Sequence, residues 1–129
     1  MSWIEIGLEG GRTAYRPGEE VVGAVAWSLE EGEPPVSAEV RLVWLTRGKG
    51  DVDSDVVASA ELPSPGRLDR RELSLRLPEG PYSFVGRLVS LVWAVEVVVE
   101  PGGRAERTEI VVSPTGREIR LHPDLPPSS

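Results

Sequence analysis

Apolar and polar residues alternate with a period of two through most of this chain. In "SWIEIGLE", Ile4, Ile6 and Leu8 fall on one side and Trp3, Glu5 and Glu9 on the other, while "EVVGAVAWSL" sets Val21, Val25, Trp27 and Leu29 together. The cleanest instance is "VSAEVRLVWLTR", where Val36, Ala38, Val40, Leu42 and Trp44 oppose Ser37, Glu39, Arg41 and Arg47. Successive side chains of a strand point to opposite faces, so each segment predicts a strand with one face in a core. "DVVASAEL" from Asp55, "RELSLRL" from Arg71 with Leu73, Leu75 and Leu77 inward, and "RTEIVVS" from Arg107 continue the series.

The run from Leu88 to Glu100 tests this reading, because it carries no charge before Glu96. A membrane helix needs about 20 consecutive apolar residues, and this run is bounded by Arg87 and broken at Glu96, so it does not span. Six of its thirteen residues are valine, and these with Trp93 are types that suit a pleated surface better than a helix. At period two, Val89, Leu91, Trp93, Val95, Val97 and Val99 make one wholly apolar face, and Leu88, Ser90, Val92, Ala94, Glu96, Val98 and Glu100 a mixed one.

Turn-forming stretches separate the strands: "YRPGEE", "EEGEPP", "RGKGD", "PSPG", "PEGP" and "EPGG". About seven to eight strands with no helical period predict an all-β fold, an antiparallel immunoglobulin-like β-sandwich. Residues 1–113 are expected to form this single domain. Residues 114–129 are expected to add one short strand and then a Pro-rich tail. Within the domain, Pro17 and Gly18 suit a sharp reversal between strands. Gly23, inside a strand pattern, suggests a bulge or a close backbone approach. Pro78 and Pro81 lack backbone donors, which keeps their segment out of a central strand and suggests a crossing between sheets.

Charge narrows the function classes. The formal net charge is −7, carried by residues 1–65 with 12 acids against 5 bases, whereas residues 66–129 hold 9 of each. No basic stripe exists to neutralise phosphates, so nucleic acid is not an expected partner. The chain has no cysteine, which removes disulfides and thiolate metal sites. "MSWIEIGLEGG" has neither a basic nor an apolar leader region, and a cytoplasmic location is expected.

Catalytic signals are sparse. His122, the only histidine, stands in "RLHPDLPPSS", and no nucleophile-elbow, phosphate-loop or paired-histidine spacing occurs. No cofactor is implied, and an enzyme is not expected. "RGKGDVDSDVV" places Asp51, Asp53 and Asp55 at spacing two in a loop between strands, like the first half of a calcium loop. The sixth and twelfth positions of such a loop would be Val56 and Leu62 rather than Gly and Glu. The plainer reading is a solvated hairpin tip whose acids keep an edge strand soluble.

Two stretches resemble a known family. "Tyr15-Arg16-Pro17-Gly18-Glu19-Glu20-Val21-Val22-Gly23-Ala24-Val25" resembles the opening hairpin of arrestin-like domains, an aromatic and a Pro-Gly-acid turn leading into a strand with a nearby Gly. "Leu77-Pro78-Glu79-Gly80-Pro81-Tyr82-Ser83-Phe84-Val85-Gly86", before a long strand with Trp93, is similar to the later L-P-x-x-x-x-S-F-x-G signature of that family. The resemblance covers roughly residues 1–113. It implies kinship in fold with arrestins, retromer cargo-selection subunits and bacterial sporulation-control proteins, which act as adaptors without known catalysis. Those proteins usually carry two sandwiches and this chain has room for one, so an interdomain hinge and phosphate-triggered activation are not carried over.

The expected function is therefore a non-enzymatic adaptor or scaffold module of a bacterium, binding another protein or a second copy of itself. Val92 and Val98, on the mixed face of the long strand, offer either an apolar patch to such a partner or a surface covered by a loop or the tail. Ile119 and Leu121 in "GREIRLHPD" suit an eighth strand or strand addition to a partner. The alternative is a small ligand- or carbohydrate-binding sandwich, calcium-dependent through Asp51, Asp53 and Asp55.

Overall fold

The alternating segments pair with one another into two packed sheets. In the computed structural model, residues 2–29, 34–48, 53–86, 89–115, 117 and 119–121 are described; these hold ten strands, one short 3-10 turn and no α-helix. The strands are β1 (Trp3–Leu8), β2 (Ala14–Tyr15), β3 (Glu20–Ser28), β4 (Ser37–Gly48), β5 (Ser54–Glu61), β6 (Leu68–Arg76), β7 (Phe84–Gly86), β8 (Val89–Glu100), β9 (Arg104–Val112) and β10 (Ile119–Leu121).

The smaller sheet has the order β1-β3-β6, antiparallel throughout. The larger is centred on β4 and β8, which pair in continuous antiparallel register from Ser37↔Glu100 to Gly48↔Val89. β5 flanks β4. On its other side β8 is shared, with β9 holding Trp93 to Val99 and β7 holding Ser90 and Leu91. Two parallel pairings complete the sheet, β2 on the end of β9 and β10 on β7. The fold is thus the all-β sandwich that the alternation predicts, with ten strands instead of seven or eight. β2 and β7 are too short to show a period.

The core lies between the sheets. Val21, Val25, Trp27, Leu73 and Leu75 from the small sheet meet Ala38, Val40, Leu42, Leu91, Trp93, Val95, Val97, Val99, Ile110 and Val112 from the large one. Both central tryptophans are wholly buried and keep their indole donors satisfied on loop carbonyls. Trp27 Nε1 donates to Gly66 O at 2.7 Å and Trp93 Nε1 to Pro81 O at 2.8 Å. Each indole therefore pins a loop that passes from one sheet to the other.

Three positions differ from the period-two reading. Val36 is 75% exposed; it precedes β4, where its N–H donates to Glu100 O at 2.9 Å. Val43 and Leu45 are buried although they lie on the outer face, where the flanking strands set Val56 and Ala94 beside Val43 and Val92 beside Leu45. In β5 the register shifts between Ala58, opposite Leu42, and Val56, opposite Val43. This bulge inserts Val57, and both Val57 and Ala58 pack against the core.

Gly23 marks a close backbone approach. A Cβ there would sit 2.3 Å from Gly7 O and 2.9 Å from Leu8 Cα. Only glycine lets the end of β1 lie this close to β3.

Candidate interaction surface

The two family-like stretches, some sixty residues apart in sequence, meet in space. The Arg16–Glu19 turn closes through Glu19 N–H to Arg16 O at 3.2 Å, with Gly18 at φ 82°. It sits on the start of the sheet crossing: Leu77 N–H donates to Glu19 O at 2.9 Å, and the Arg76 guanidinium to Gly18 O at 2.8 Å. Further along, buried Ser83 is held from both sides of Val112. Its N–H donates to Val112 O at 2.7 Å while its Oγ accepts from Val112 N–H at 2.9 Å. Ser113 N–H then donates to Tyr15 O at 3.1 Å. Turn, crossing and the end of β9 thus form one hydrogen-bonded joint, and residues 77–83 carry the chain from the small sheet to the large one.

Beside this joint the Arg12 guanidinium lies 4.3 Å from the centre of the buried Tyr15 ring and 3.0 Å from Glu19 Oε1. Burial pushes the Tyr15 phenol up despite the nearby guanidinium. The Arg12 hydrogen bond, aided by the Arg16 amide, holds the Glu19 carboxyl below its ordinary range. These groups are occupied with one another and brace the turn.

Asp53 leads into β5, its carbonyl accepting from Thr46 N–H at 2.8 Å and its N–H donating to Thr46 Oγ1 at 2.9 Å, whereas Asp55 lies within β5 opposite Trp44 rather than in a loop. Asp51 and His122 lie outside the described residues. Among the described residues no three His, Asp or Glu side chains gather as metal ligands would. Val92 and Val98 both stand on the outer face of β8, but a charged row separates them. There Glu96 accepts from Arg107 at 2.9 Å and faces Arg41 at 3.5 Å, and Arg41 also holds Glu39. Val92 consequently groups with Leu45 on the neighbouring strand, and Val98 with Ala105. Ile119 and Leu121 pair in β10 with Phe84 and Gly86.

A feature that the alternation did not single out lies on the outer face of the small sheet. Its central strand presents Val22, Ala24, Ala26 and Ser28 outward, all half-buried. The register sets three rows across it: Trp3–Ser28–Leu68, Glu5–Ala26–Arg70 and Gly7–Ala24–Glu72. Small side chains in the middle, with Glu5 on one side and Arg70 and Glu72 on the other, make a trough, an open hollow of about 670 Å³ that also reaches Gly7, Glu9 and Ser74. Among the described residues the exposed large apolar side chains are Trp3, Val36, Val56, Leu68 and Tyr82. Two of these five, Trp3 at 42% and Leu68 at 76%, flank the same Ser28, one row beyond the Ala26 end of the hollow.

The sandwich is similar to that of Spo0M. This sporulation control protein of Bacillus subtilis superposes with a TM-score of 0.64 at 22% sequence identity, over 87% of this chain and 49% of Spo0M. The likeness supports the arrestin-like architecture, and the chain spans about half the length of that protein. No protein-family model and no curated protein sequence matches it. No helix among the described residues is long and apolar enough to cross a membrane.

Proposed function

We propose that this chain is a non-enzymatic protein-interaction module, an arrestin-like sandwich that presents a fixed surface to another protein in the cytoplasm. The observation that carries the reading is the placement of exposed Trp3 and Leu68 on either side of Ser28, one row beyond the end of an open trough. Exposed apolar groups gathered beside a concavity are a common mark of a binding surface, and large aromatic and aliphatic anchors carry most of the energy at such surfaces. The fold similarity to a sporulation control protein supports a regulatory rather than a catalytic role. Affinity capture from a lysate of the source organism tests it, with each retained protein then purified and remixed. A partner that binds again at fixed stoichiometry is the expected result; retention of nothing beyond what an unrelated sandwich of equal charge retains overturns the reading.

A further inference from the structure

We infer that the trough of the small sheet receives a basic amphipathic helix of the partner, an inference that rests on the interaction-module reading and makes it specific. Dimensions come first. Neighbouring strands lie about 4.8 Å apart, so β1 and β6, flanking β3, stand roughly 10 Å from each other. That is the diameter of an α-helix with its side chains. The floor from Val22 to Ser28 runs about 20 Å at the rise of a strand, which a helix covers in about 13 residues. Ala24 and Ala26 leave only methyl groups between the two walls, and Gly7 leaves a gap in one of them, so a helix can approach closely. Trp3 and Leu68 then grip it at one end from opposite sides.

Charge selects the occupant. The trough is rimmed by Glu5, Glu9 and Glu72 against a single Arg70. Elsewhere on this molecule carboxylates hold arginines: Glu19 with Arg12, Glu96 with Arg41 and Arg107, Glu109 with Arg47, Asp69 with Arg71. Glu5, Glu9 and Glu72 make no ion pair with a described residue. A helix with Ala or Leu along one face and Lys or Arg on its flanks would fill the floor and neutralise the rim, which is recognition in the helix-in-groove mode. A second copy of this chain is a poorer occupant, because face-to-face docking would set two acidic rims against each other.

The test uses a fluorescently labelled 14-residue peptide with an Ala/Leu face and Lys/Arg flanks, and a scrambled peptide of the same composition. Fluorescence anisotropy on the full chain is expected to show saturable binding, weakened at least tenfold by scrambling. Ala24→Tyr fills the floor without changing charge and is expected to weaken binding at least tenfold with the thermal midpoint unchanged. Glu5→Gln with Glu72→Gln is expected to weaken it severalfold at low salt, an effect that fades as salt screens the exposed rim. Binding that is indifferent to both Ala24→Tyr and scrambling is adventitious attraction to an acidic protein and overturns the inference. If a lysate partner is captured equally by Ala24→Tyr and the natural chain, the trough is refuted while the interaction module stands. If neither chain captures a partner, the module reading itself fails.

Discussion

Ser83 and Val112 hold each other through a reciprocal pair of hydrogen bonds, one from Ser83 N–H and one to Ser83 Oγ, at 2.7 and 2.9 Å. Both residues are buried, at 2% and 0% exposed. Ser83→Ala removes the acceptor and leaves a buried amide donor without a partner, which costs about 1–3 kcal/mol. Chemical denaturation of the variant beside the natural chain measures this, and a loss below a few tenths of a kcal/mol would show that the joint does not depend on the hydroxyl.

The two buried indoles make a matched comparison. Phenylalanine at either position keeps most of the apolar volume but cannot donate, so Trp27→Phe strands the Gly66 carbonyl and Trp93→Phe the Pro81 carbonyl. Each is expected to lose about 1–3 kcal/mol. Amide hydrogen exchange should localise the loosening to residues 62–67 in the first variant and 77–83 in the second.

Gly23→Ala places a methyl against the backbone of β1, with no flexible side chain to yield. Overpacking of this kind costs about 1–3 kcal/mol. Loss of exchange protection in β1 with β4 and β8 unaffected would confirm that the clash is local.

Acid should act through two carboxyls. Glu19 is held below its ordinary value first by the Arg12 side chain, and Asp69 first by the Arg71 side chain. A depressed folded value means that the stabilisation is fully present above the ordinary carboxylate range near pH 4 and is lost as pH falls through the folded values. The thermal midpoint is therefore expected to fall below about pH 4.5. Glu19→Gln with Asp69→Asn should lower the midpoint at neutral pH and flatten the acid limb; an unchanged acid limb would place the titration elsewhere.

Leu68 separates binding from folding. At 76% exposed it contributes little to the core, so Leu68→Ser should change stability by no more than about 0.5 kcal/mol. The same substitution should weaken binding of the basic helical peptide severalfold.

Much of the sandwich is legible in the sequence because burial on one face writes itself as alternation. Val21, Val25 and Trp27 on β3, and Leu91 to Val99 on β8, are buried where their spacing places them, and Gly23 makes the close approach its position suggests. Pairing partners are another matter. The parallel contacts of β2 with β9 and β10 with β7 depend on residues distant in the chain, and strands of two or three residues carry no period. The bulge at Val57 hides itself in the same way, since one inserted residue reverses the alternation on either side. The trough escapes sequence reading for a related reason. Ala24 and Ala26 look unremarkable in β3 alone, and become a floor only once the register brings Glu5 and Gly7 to one side and Arg70 and Glu72 to the other.

The pairing of β4 with β8 also sets an order of events during synthesis. β4 ends at Gly48, yet β8, the strand it pairs with along its whole length, is complete only at Glu100. Until then the emerging chain holds a half-apolar strand with no permanent neighbour on that side, and closing so long a loop makes for slow, non-local assembly. The large sheet is therefore expected to close late in synthesis, with β4 paired to β5 on one side and its other edge open in the interval.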